Sequence, residues 1–198
     1  MDFDDCGRHN AENLLLDNLL VYCTAKMENV NILLRGSGAR PFTLTRAVIK
    51  APQRNFTSPV KDGLIFVRMD RLDVADTKMY DRQDPDSSDS SSSADEAETD
   101  QDRLLQGQEL PATTLLHDES GAPGSFLRPQ AYFSIDERVG SATIDFDPPL
   151  SARYVFIKLL SGHPFDSYPG RLEHENIDIQ AILLYGYGRR SFPSTSLR

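Results

Sequence analysis

Ala142 to Leu160 reads Ala-Thr-Ile-Asp-Phe-Asp-Pro-Pro-Leu-Ser-Ala-Arg-Tyr-Val-Phe-Ile-Lys-Leu-Leu, and this stretch decides the fold. Its first part alternates, with Ile144 and Phe146 in one phase and Thr143, Asp145 and Asp147 in the other. A strand does this when one sheet face is dry. Pro148 and Pro149 are expected to end that strand, because neither nitrogen can donate to a ladder. Tyr154 to Leu160 is denser in apolar residues, as a central strand covered on both faces would be. Two strands of unequal burial point to a β-sandwich.

Further strands follow outward from this pair. Asn29 to Arg35 alternates through Ile32 before Gly36-Ser37-Gly38 closes it. Phe42 to Lys50 alternates again, with Phe42, Leu44, Arg46, Val48 and Lys50 on one side, and Pro52 closes it. Leu64 to Met69 is a third apolar run, preceded by the turn residues Asp62-Gly63. Organisation is expected to be lost between Asp70 and roughly Pro129, where Leu110 to Leu116 offers a short strand or a docked piece at the insertion's end; Ala131 to Asp136 resumes regular structure, and Ile177 to Gly186 is the last strand. Near the start, Asn13 to Asn18 reads as a short helical turn or a tight loop, closed by the turn pair Asp17-Asn18. No long amphipathic helix and no internal repeat is visible, which excludes bundles, solenoids and doubly wound α/β folds.

The chain of 198 residues is 39% hydrophobic, enough for one sizeable core. Its formal net charge is -9, but Asp84 to Asp102 carries eight acidic residues and no basic one. With those carboxylates set aside the charge is -1, so nothing supplies the broad basic field that nucleic acid or anionic lipid needs. The same run holds Ser87 to Ser93 with little to bury, and we expect residues 81–109 to be a disordered acidic insertion in a single domain spanning 10–188, with 189–198 a flexible tail. No apolar window approaches the ~18 residues of a membrane span. The acidic N-terminus differs from a secretory signal, so the expected setting is cytoplasmic or nuclear. Cys6 and Cys23 are expected to be free thiols.

Leu14-Leu15-Leu16-Asp17-Asn18, then Tyr22, then Asn29-Val30-Asn31-Ile32-Leu33-Leu34, followed late in the chain by Arg153-Tyr154-Val155-Phe156-Ile157 and Leu184-Tyr185-Gly186, form an ordered set. In that order they resemble the galactose-binding-like jelly roll of discoidin domains and of the Doc subunit of the anaphase-promoting complex, over about 130 residues. The chain departs from many of those relatives in having Tyr22-Cys23 and no tryptophan. The resemblance implies an all-β jelly-roll sandwich and a recognition module. Its Doc-like branch implies protein partners in a ubiquitin-ligase assembly, and a C-terminal Leu197-Arg198 that docks on a partner.

Jelly rolls present ligands on loops at one end. The candidate loops are Asp17 to Tyr22, Gly36 to Arg40, Pro52 to Pro59 and Ser161 to Arg171, with Asp17, Asn18, Tyr22, Arg40, His163, Phe165, Tyr168 and Arg171 as ligand candidates. Phe165 and Tyr168 beside arginine suit a protein interface, or else cover the open end of the sandwich. Ser92, Ser93 and Thr99 each have an acidic residue three positions on, which makes them phosphorylation candidates. Glu173-His174-Glu175 lacks the spacing of a zinc helix, and no phosphate-cradling glycine loop is visible. We therefore expect no metal, no cofactor and no catalysis. The expected function is non-catalytic protein recognition or scaffolding. A carbohydrate-binding module is the first alternative, and a hydrolase using His163 or Glu175 is the second.

Overall fold

A computed structural model describes residues 11–53, 56, 58–82, 127–163 and 176–188, together with the backbone of 113–115. Alternating and apolar runs on both sides of the acidic stretch build two antiparallel sheets. The larger contains β2 (Val30–Arg35), β8 (Tyr154–Gly162), β4 (Val60–Arg68), β6 (Ala131–Ser134) and β5 (Thr113–Leu115), side by side in that order. The smaller contains β10 (Ala181–Tyr187), β3 (Phe42–Lys50) and β7 (Ser141–Ala152). β1 (Tyr22–Cys23) pairs with β9 (Asp178–Ile179) at one end. Sheets of five and three antiparallel strands packed face to face make an all-β jelly-roll sandwich.

The core lies between the sheets. Ile32, Ile65, Phe133, Ile157 and Leu159 of the larger sheet meet Leu44, Ile49, Ile144, Phe146 and Ile182 of the smaller, and all are buried. The opposite phase of β8 faces outward, yet it is covered too. Phe156 packs with Leu33, Leu64, Phe66, Leu72 and Tyr80 in a second cluster, roofed by a 3-10 helix at Val74–Tyr80. An Asp73 capping box, in which Asp73 and Asp76 each accept from the other's backbone side, starts that helix. Tyr154 to Leu160 is thus a central strand dry on both faces, as its composition predicts.

Four local expectations give way. Pro148 and Pro149 do not end β7, which continues to Ala152. β7 is the edge of its sheet, so a missing N–H leaves no partner unserved. The ladder breaks instead between Leu44 and Arg46, where four residues of β7 pass opposite Thr45 alone. That break also switches the phase of β3, so Leu44 is buried before it and Ala47 and Ile49 after it. Asp62-Gly63 is no turn but a bulge inside β4, and a Cβ at Gly63 would lie 2.5 Å from the Lys158 carbonyl oxygen. The final run is two strands broken at Gln180, and order persists beyond Asp70 through the Val74–Tyr80 helix to Arg82. The run from Asp84 to Asp102 lies outside the described residues.

Candidate functional site

Strand direction fixes which loops share an end. β3 runs from Phe42 to Lys50, so Gly36 to Arg40 and Pro52 to Pro59 stand at opposite ends, ~30 Å apart at 3.3 Å per residue. We call the Lys50 end the upper end. It gathers residues 16–28, 50–53, 56, 58–59, 135–140, 163 and 176–180, whereas Arg40 belongs to the lower end. The described parts of three expected loops, residues 17–22, 52–53, 56, 58–59 and 161–163, converge there, and Gly36 to Arg40 does not.

Buried hydrogen bonds set the upper end. Asp178, 1% exposed, accepts from the Ser58 amide at 3.1 Å and from Asn176 Nδ2 at 2.5 Å, while its own amide donates to the Ser58 carbonyl at 2.8 Å. Buried Thr24 receives the Ile177 amide on its hydroxyl at 2.7 Å and donates that hydroxyl to the Lys26 carbonyl at 2.7 Å. The His163 amide donates to Pro59 O at 2.7 Å, and its Nε2 lies 2.7 Å from the Ile135 carbonyl oxygen. That ring nitrogen, as a donor, ties two loops together. Buried polar groups satisfied in this way cannot shift without losing partners.

On this base stands the loop from Leu16 to Tyr22. Asn18 donates its amide to Leu16 O at 2.9 Å and accepts the Leu20 amide on Oδ1 at 2.8 Å, an Asx turn. Gln180 Nε2 holds Asn18 O at 2.9 Å, and Asn13 Nδ2 reaches Val21 O at 3.3 Å. Lys50 Nζ meets Asp17 Oδ1 at 2.6 Å. This turn projects Leu19, 91% exposed, and Leu20, 53% exposed. Met27 and Val139 are exposed at the same end. The sequence reading picked the Asp17-Asn18 turn but missed the leucines it presents, whose sequence signal was two apolar residues directly after a turn pair.

Asp17 and Asn18 therefore act by shaping the loop. Tyr22, a ligand candidate in the sequence, is 4% exposed inside β1 and supports the core instead. Its place opposite Ile179 in the β1 ladder removes it from the surface. Phe165, Tyr168, Arg171, Glu175, Leu197, Arg198, Ser92, Ser93 and Thr99 lie outside the described residues. Cys23 is half-buried in β1, and Cys6 also lies outside.

The lower end carries a groove of about 1200 Å³ between the start of β3 and the end of β10. Arg40, Phe42, Tyr185 and Tyr187 line it, with backbone from Gly36, Gly38, Gly186 and Gly188. Tyr185 is 49% and Tyr187 75% exposed. Gly186 is obligatory here, since a Cβ would fall 1.8 Å from the Thr43 carbonyl oxygen.

Among the described residues no group of three His, Cys, Asp or Glu side chains gathers to hold a metal ion, and no helix is long and apolar enough to cross a membrane.

No protein-family model matches the sequence. No curated protein matches it either. Solved structures of similar fold include a family 32 carbohydrate-binding module from C. perfringens NanJ in complex with galactose, 8% identical, with a TM-score of 0.47 over 90% of this chain and 85% of that one. They include the two such domains of Clostridium perfringens ZmpB in complex with GalNAc, 11% identical, with a TM-score of 0.46 over 91% of this chain and 31% of that one. A fucolectin from the serum of Morone saxatilis, the striped bass, is 13% identical, with a TM-score of 0.41 over 92% of this chain and 44% of that one.

Proposed function

We propose that the protein is a non-catalytic recognition module that binds a protein partner through its upper end, with Leu19 and Leu20 as the apolar anchor. The observation that carries this reading is the pairing of exposure with rigidity. Leu19 is 91% exposed on a loop whose turn is hydrogen-bonded to Gln180 and to its own Asn18. Burying a leucine side chain on a partner contributes ~1.5–3 kcal/mol, and a loop already ordered loses little entropy on binding. Asp17 and Lys50 supply a polar rim beside it.

The Doc-like motifs make ubiquitin-ligase subunits, in the cytoplasm or nucleus, the partners to look for. Affinity purification of the intact chain against Leu19→Ser/Leu20→Ser tests the proposal. The wild type should retain partners that the variant loses at an unchanged melting temperature. Equal recovery by both would refute it.

A second reading, carbohydrate binding, rests on the lower groove, where Tyr185 and Tyr187 offer exposed rings on which a sugar could stack beside Arg40. The sugar complexes among the similar structures share the fold and say nothing of what this chain binds. A glycan array decides, since binding abolished by Tyr187→Ala and unaffected by Leu19→Ser would favour the sugar.

A further inference from the structure

Arg35 of β2 stands opposite Tyr154 of β8, and Tyr154 in turn stands opposite Arg68 of β4. Directly paired residues share a sheet face, so the three side chains form one row across the outer face at the lower end. Tyr154 packs at the edge of the outer apolar cluster, which leaves it half-buried between two cations. Arg153 joins them through the backbone, since its amide donates to Arg68 O at 2.9 Å and its carbonyl accepts from Gly36 N at 3.0 Å. The ion pairs among the described residues use Arg46, Lys50 and Lys158, so none of these three arginines is neutralised there. Asp70 follows Arg68 closely, but Arg71 offsets it.

Two arginines flank one tyrosine in a single cross-strand row, with Arg153 next to it in the chain, in a protein of net charge -9. Like charges in one row, with no ion pair to offset them among the described residues, work against folding, and a ligand bearing several closely spaced anionic groups would relieve this. Planar guanidinium forks match carboxylate and phosphate oxygens two at a time. The patch is three residues wide, with no extended basic field around it to suit a duplex or a membrane. Nor does it share residues with the leucine tip.

We propose that Arg35, Tyr154 and Arg68, with Arg153 beside them in the chain, form a docking surface for an acidic peptide segment, rich in aspartate, glutamate or phosphoserine. It lies at the end of the sandwich opposite Leu19, so the two surfaces can be occupied together. The acidic run Asp84 to Asp102 of the same chain has the required composition and supplies a natural probe.

Fluorescence anisotropy with a labelled peptide of sequence 84–102, phosphorylated at Ser92 and Ser93, tests the proposal on the full chain. A parallel form in which the eight acids of 84–102 are replaced by Asn or Gln removes any competition in cis. Binding is expected, at least as tight in the neutralised form, weakened at 300 mM salt and at least tenfold weaker for Arg35→Gln/Arg68→Gln. Leu19→Ser/Leu20→Ser should bind the peptide unchanged, which separates this site from the upper one. Failure of both forms to bind, equal binding of a peptide with its acids neutralised, indifference to the arginine substitutions at an unchanged melting temperature, or binding to anionic vesicles in place of the peptide would each overturn it.

Discussion

Lys158 sits in the middle of the driest strand with a side chain that is 0% exposed, and its substitution gives a sharp test of how charge is carried under the Val74–Tyr80 helix. Its ammonium donates to Asn31 Oδ1 at 3.1 Å and to Thr77 Oγ1 at 3.3 Å, and pairs with Asp81, whose side chain is 37% exposed. The pair is asymmetric, because Asp81 can rehydrate and Lys158 cannot. Asp81→Asn should therefore strand an enclosed cation and cost about 2–4 kcal/mol. Lys158→Met keeps the stem and removes the desolvation cost. Thr77 still donates to Val74 O and Asn31 to Asn29 O, so neither neighbour is orphaned. The methionine variant should lie within about 1 kcal/mol of wild type, and adding Asp81→Asn to it should cost only about 0.5 kcal/mol more. Urea unfolding followed by circular dichroism reads these differences in a chain without tryptophan. A methionine variant that loses as much as Asp81→Asn would refute the asymmetry. Burial lowers the Lys158 pKa below 10.5, and Asp81 only partly opposes this. The folded state thus releases the proton before the unfolded state does, and the lysine's cost shrinks as pH climbs from the folded pKa towards 10.5. The stability of wild type relative to Lys158→Met should rise across that alkaline window.

Gly186→Ala should destabilise the protein by ~2 kcal/mol or more and distort the lower groove, since its Cβ overlaps backbone rather than a movable side chain; calorimetry and tyrosine fluorescence would show both. Arg46→Ala removes an exposed pair with Asp145, 2.5 Å long, that raises the arginine's pKa. Solvent screening should hold its effect on the unfolding midpoint to a shift too small to resolve at 150 mM salt. Asp178→Ala removes the carboxylate to which the Ser58 amide and Asn176 Nδ2 donate and should cost ~2–3 kcal/mol, with hydrogen exchange accelerating first at residues 58 and 176–180.

The two sheets were legible wherever burial alternates with the pleat, as at Ile144 and Phe146, or is unbroken, as from Val155 to Ile157. Local reading failed where the partner strand decides. Pro148 and Pro149 are tolerated because β7 is an edge, which no local window reveals. Asp62-Gly63 has turn chemistry, but the approach of Lys158 and Phe133 makes it a bulge. The Val74–Tyr80 helix was missed because it is only two turns long and its apolar residues, Val74 and Tyr80, serve the outside of a sheet rather than the main core. Of the candidate site, the turn at Asp17-Asn18 was visible and the burial of Tyr22 was not, since exposure of an aromatic is a property of its cross-strand partner. Grouping Arg40 with the other loops failed for a reason of direction, because loops before and after one strand cannot share an end.

Asn29, held at φ 53, exchanges hydrogen bonds with Arg82 in both directions, and the Tyr80 hydroxyl donates to Leu127 O. These bonds fasten the chain on each side of the acidic stretch to the sandwich itself. Arg82 and Leu127 are therefore each held by bonds within the described framework, which do not depend on the length of chain that joins them. A reporter domain spliced in after Arg82 should accordingly leave both anchors and the strand register as they are.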